Sequence, residues 1–92
     1  MTAVYVVPKN KDEIYKMVVG ALHDMFELER SKLVPEANLF SDLDIDSIDA
    51  VDLAAKFNEM TGKRMTPEAY KKIRTIQDMV DALSDLLLEK SA

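Results

Sequence analysis

The chain has no cysteine. That absence excludes a disulfide framework and a thiolate metal site, and it leaves packing alone to hold the fold. Only two glycines and three prolines occur in 92 residues. With 48% hydrophobic residues, so few breakers exclude a disordered or low-complexity chain. A single histidine, His23, has no second imidazole or thiol with which to share a metal, and it reads as a surface residue. Long apolar runs are missing too: Ala3-Val4-Tyr5-Val6-Val7 is too short to span a membrane and lacks a basic leader. No serine, histidine and acid fall in an arrangement with a glycine-rich oxyanion loop, so no catalytic set can be assembled. A soluble, cytoplasmic, monomeric single domain spanning 1–92 is expected, with 1–9 as a flexible N-terminal extension. A chain of this length buries roughly 60 to 70% of its unfolded surface, which leaves no room for a deep catalytic cavity.

What the chain does have is charge of one sign in one place. Between Ser41 and Gly62 stand Asp42, Asp44, Asp46, Asp49, Asp52 and Glu59 against Lys56 alone. Those residues carry the whole net charge of −5, because the others hold eleven acids and eleven bases. Such a concentration suits a basic protein partner and repels nucleic acid.

Apolar periodicity predicts four helices. The first covers about 11–29, with Ile14, Met17, Val18, Ala21, Leu22, Met25 and Phe26 on one stripe and Asn10 or Asp12 as cap. Residues 30–46 fit no helix and form a long loop pinned by Leu33, Val34, Leu39, Phe40 and Leu43, a length usually kept for function. The second helix begins at Asp46 or Ser47 and ends at Thr61-Gly62, with Asp49 placed to complete a capping box. A short third helix follows Thr66-Pro67 to about Ile73. The fourth starts at Thr75 and aligns Ile76, Met79, Val80, Leu83, Leu86 and Leu87. The expected fold is all-α: an antiparallel four-helix bundle of three longer helices and one short one.

On the second helix, Ala50, Leu53, Ala54 and Phe57 share the face that suits a core. Ile48, Val51 and Ala55 make a second apolar strip, beside a polar ridge of Asp49, Asp52, Lys56 and Glu59. Two readings stand open: a docking surface with an electrostatic rim, or a strip covered by Leu39 or Phe40.

Asp42, Asp44 and Asp46 alternate as in an EF-hand, but Ser47 occupies the glycine position and Leu53 the bidentate glutamate position. A weak divalent-cation site is the most this cluster offers. The run Asp42-Leu43-Asp44-Ile45-Asp46-Ser47-Ile48-Asp49-Ala50-Val51-Asp52-Leu53 instead resembles the acyl carrier protein signature. There, a loop ending in Asp-Leu-Gly-x precedes Asp-Ser-Leu and an acidic helix. The similarity continues without a gap through Lys72-Ile73-Arg74-Thr75-Ile76-Gln77-Asp78 and Asp81, covering about 39–83.

The resemblance implies that a phosphopantetheinyl transferase attaches 4′-phosphopantetheine from coenzyme A to Ser47. Acyl groups would ride on the arm as thioesters, sheltered between the second and third helices, for enzymes of fatty-acid or related biosynthesis; the carrier itself would catalyse nothing. It also implies that Asp46, Ile48, Asp49, Val51, Asp52, Ala55 and Glu59 meet the basic docking patches of acyl-transferring or synthase partners. Asp44 replaces the family's glycine and Ile48 its leucine, Lys56 interrupts the ridge, and Lys63, Arg64, Lys71, Lys72 and Arg74 flank the third helix where acids are usual. These departures keep open a specialised polyketide, unusual-lipid or aminoacyl carrier, and an unmodified helical interaction module.

Overall fold

Asn10 starts the first helix: its side chain accepts the Glu13 N–H at 2.9 Å, and Glu13 returns to the Lys9 N–H at 2.8 Å. The computed structural model describes residues 8–88, without the side chains of Pro67 and Tyr70. Residues 1–7 of the expected extension lie outside that range. Its described end is docked, with Pro8 buried and Lys9 tied to Glu13.

Five helical segments follow one another: α1 (Lys11–Phe26), a 3₁₀ turn (Arg30–Lys32), α2 (Ser47–Thr61), α3 (Pro67–Lys71) and α4 (Ile76–Leu87). The described residues are therefore all-helical, with one isolated antiparallel bridge between Asn38 and Thr75. α1 packs against both α4 and α2, and α3 against α4. Ile14, Val18 and Leu22 of α1, Leu53 and Phe57 of α2, and Ile76 and Leu83 of α4 form the core with Leu33 and Leu39 from the loop.

α1 stops at Phe26, three residues before the expected end, because Glu27 adopts φ 56 and returns its N–H to the His23 carbonyl. A left-handed residue ends a helix whether or not it is glycine, and an apolar stripe continuing through Leu28 hides the stop. Met25 and Phe26 are accordingly only half-buried. α3 likewise ends at Lys71.

The reciprocal capping box is found on α4, where Thr75 and Asp78 bond each other's backbone, and not at Asp46/Asp49. Two carboxylates would face each other at the head of α2, whereas the Thr75 hydroxyl is neutral. Gly62 closes α2 at φ 73, as its position implies.

Candidate functional site

The long loop settles how the heads of two helices are exposed. Asn38 folds residues 38–43 onto themselves: its Oδ1 accepts the Phe40 and Ser41 N–H groups, its carbonyl accepts from Asp42 and Leu43, and Asp42 Oδ2 accepts the Asn38 N–H. The loop then runs against the start of α4. Ile76 N–H donates to the Ala37 carbonyl at 3.1 Å, Gln77 N–H to Pro35 at 2.9 Å, and Leu39 N–H to Arg74 at 2.8 Å. With Asp78 N–H on Thr75 Oγ1 and Met79 N–H on the Thr75 carbonyl, all four first-turn donors of α4 are taken. Sequence patterning missed this pairing; the one local signal was Asn38, a residue type that folds turns through its side chain.

α2 is treated differently. Asp46, at φ −90 and ψ 179, caps it by accepting the Asp49 N–H at 2.8 Å, and its carbonyl takes the Ala50 N–H at 2.9 Å. Among the described residues no acceptor takes the Ser47 and Ile48 N–H groups, which lie at the positive end of the helix dipole. Ser47 is exposed at the first helical position, outside the hydrogen bonds of the cap. An accessible hydroxyl on a capped turn, beside two backbone donors able to face a phosphodiester, fits covalent attachment of a phosphate-linked group. The Asp46 carboxylate, already engaged by Asp49, offsets part of that field.

Asp44 stands at φ 56, so the position where the signature that this chain resembles has glycine is left-handed here. Aspartate tolerates that region better than most residues.

The three loop aspartates do not converge. Asp42 turns onto Asn38, Asp46 onto Asp49, and among the described residues no group of three metal-ligating side chains comes together. This corrects the idea of a weak cation site built from alternate carboxylates. His23 is corrected too: it is half-buried, with Nδ1 at 2.9 Å from the Leu28 carbonyl, and fastens the end of α1.

The apolar strip on α2 is uncovered. Ile48 is 72% exposed and Val51 51%, and Ala55 is exposed beside them. Leu39 does not cover the strip because it is buried in the core, and Phe40 is itself exposed. Asp46, Asp52, Lys56 and Glu59 are exposed and Asp49 is half-buried, so strip and ridge lie together on one accessible face. The opposite side of the helix is core: Leu53, Ala54 and Phe57 are buried and Ala50 half-buried. A groove of about 660 Å³ adjoins α2 on its α1 side, floored by Met17, Ala21, Met25 and Met60. The sheltered space expected between the second and third helices involves side chains of α3 outside the described set.

Comparison with known proteins bears on the same residues. The chain matches the family model described as "Phosphopantetheine attachment site" over residues 17–83. It is 45% identical over 75 residues to "Acyl carrier protein 2" of Ralstonia nicotianae, covering 82% of this chain and 93% of that protein. Similarity to an acyl carrier protein of Thermosynechococcus vestitus is 33% over 76 residues, covering 83% and 94%. One of Coprothermobacter proteolyticus is 30% identical over 80 residues, covering 87% and 98%.

Proposed function

The chain belongs to the acyl carrier proteins, the family that bears covalent 4′-phosphopantetheine, and from that premise we propose that Ser47 is the attachment residue and that α2 presents the loaded arm to partner enzymes. The observation that carries this reading is the contrast between two helix heads: α4 has every first-turn donor engaged, while α2 holds an exposed serine beside two donors left over.

When attached, the arm supplies the thiol that a chain without cysteine lacks, and acyl groups are carried on it as thioesters. The protein's own residues do the rest. Ser47 offers the hydroxyl, Asp46 and Asp49 fix the turn that holds it, and Ile48, Val51 and Ala55 give the apolar contact. Asp46, Asp49, Asp52 and Glu59 supply the charge that draws a basic patch on a phosphopantetheinyl transferase or a synthase. The nucleophile and base of each acyl transfer come from those enzymes, since the carrier has no catalytic set of its own.

The bundle we assign is antiparallel, with three longer helices and short α3. The packing of α1 on both α4 and α2 supports it. We place the protein as a monomer in the cytoplasm, where coenzyme A and the transferase meet it; no helix among the described residues is long and apolar enough to cross a membrane.

Incubation with coenzyme A, Mg²⁺ and a broad-specificity transferase should add one arm of about 340 Da to the intact mass, a covalent addition of the kind a side-chain hydroxyl takes. Ser47→Ala should abolish it. An unchanged wild-type mass with several transferases would falsify the assignment and favour an unmodified interaction module. Within the family, the exposed cations at Lys63, Arg64, Lys71, Lys72 and Arg74 keep a specialised polyketide, unusual-lipid or aminoacyl carrier as the alternative to a fatty-acid carrier.

A further inference from the structure

Residues 63–74 carry five cations, Lys63, Arg64, Lys71, Lys72 and Arg74, against one acid, Glu68, for a net +4. All five are exposed, and the ion pairs found among the described residues, Lys11–Asp81 and Lys16–Asp12, involve none of them. Hydrogen bonds pin this segment at both ends of α2. At the C-terminal end the Met65 N–H donates to Asn58 Oδ1 at 3.0 Å, which holds Lys63 and Arg64 beside the last turn. At the other end the Arg74 carbonyl takes the Leu39 N–H, and the Leu39 carbonyl takes the Ile45 N–H at 2.9 Å, one residue before the Asp46 cap. The cationic segment thus leads from the end of α2 back to the loop that feeds Ser47. Lys72 is set apart from the rest, since it lines a groove with Asp78, Asp81 and Asp85 of α4.

We infer that residues 63–74 form a second docking strip, through Lys63, Arg64, Lys71 and Arg74, and that it selects a protein partner with a two-signed face: cationic opposite α2, carboxylate-bearing opposite 63–74. This rests on the reading of α2 as the docking helix. Charge complementarity identifies the occupant. A uniformly basic face is attracted by the −5 of residues 41–62 and repelled by the +4 of residues 63–74, so only a face that carries both signs satisfies both. A phospholipid surface or a nucleic acid suits the cations but sets its phosphates against the acidic helix.

A broad-specificity phosphopantetheinyl transferase with a basic docking face serves as the probe, with the full chain as substrate and the rate of arm addition by mass as readout. K71E/R74E and K63E/R64E should each raise kcat/KM by about tenfold at low salt, shrinking toward unity in 0.5 M NaCl as screening removes rim charge effects. Thermal midpoints should stay at the wild-type value, which separates docking from folding. A transferase variant with glutamates in place of the basic residues that face 63–74 should then prefer the wild-type carrier and lose activity on K71E/R74E. Equal rates on all carrier variants, or no crossover with the altered transferase, overturn the inference and leave the attachment at Ser47 intact. No addition to any variant removes the carrier reading and the second strip with it. Sedimentation of the wild-type chain with 1:1 phosphatidylglycerol/phosphatidylcholine vesicles, lost in K71E/R74E, overturns the protein partner in favour of a lipid surface.

Discussion

Asp44 is where this chain departs from the family glycine, and its backbone shows what the departure costs. At φ 56 an L residue carries about 1–2 kcal/mol of steric cost, at the lower end for aspartate, which tolerates this region better than most residues. Glycine carries none of it, but its freer unfolded chain costs about 0.4–1 kcal/mol. Asp44→Gly should therefore be neutral to about 1 kcal/mol stabilising. Asp44→Ala keeps the Cβ clash and loses the polar side chain, so it should lie about 1 kcal/mol below the glycine variant. Asp44→Val adds β-branching to a left-handed residue and should fall lower still. All three remove the same negative charge from residues 41–62, so relief of repulsion cancels from their ranking. Asp44→Asn measures that relief alone. Urea unfolding followed by circular dichroism gives the order directly, and about 1 kcal/mol between glycine and alanine corresponds to roughly 4–8 °C in Tm for a domain of this size. An alanine variant as stable as the glycine variant would refute the left-handed assignment and the reason given for a glycine at this position.

Three further outcomes follow from burial, helix ends and ionisation. Leu53→Ala, at a side chain fully out of solvent, should cost about 2–5 kcal/mol; Val51→Ala, half exposed two residues earlier, should cost less than about 0.5 kcal/mol while slowing arm addition. Chemical denaturation and transferase kinetics on the same samples check both, and a large stability loss at Val51 would mean the strip is covered. Gly62→Ala, at φ 73, should lower stability by about 1 kcal/mol in the same unfolding assay, and an unchanged midpoint would count against the cap. The Lys11 ammonium, then the Gln77 amide, hold the Asp81 carboxyl below the usual aspartate value. A depressed folded pKa stabilises above the unfolded value and is lost as pH falls through the folded one; for this exposed pair the effect should stay under about 1 kcal/mol. Lys11→Met should flatten that part of the stability profile, below the usual aspartate value, and an identical slope in both proteins would discount the pair.

Helix α2 is legible in the sequence from end to end because both its limits are set by local chemistry, an aspartate ahead of the first turn and a glycine after the last. The same logic misses the end of α1, where Glu27 adopts a glycine-like conformation without being glycine. Asp49 and Asp78 each stand three residues after a cap, and only the neutral partner, Thr75, lets the box close. Whether the second strip of α2 is covered could not be read from pattern, because adjacent apolar residues meet opposite fates: Leu39 is buried in the core and Phe40 is exposed. The pairing of residues 35–39 with 74–77 joins segments far apart in the chain, and no periodicity reports such contacts. The serine, its acidic neighbours and the cationic segment, by contrast, are visible as residue types at fixed spacing.

The double fastening of the loop through Asn38 and Arg74 has a mechanical consequence. A tether multiplies encounters only when its root is fixed relative to the surface that docks; a wandering root spreads the cargo over a larger volume and lowers its effective concentration at the target. For the arm proposed at Ser47, the hydrogen bonds of the loop would hold the root in place. Under that proposal the reach of the cargo would be governed by the arm's own length and by where α2 comes to rest, so a partner docked on α2 would measure distance from that helix.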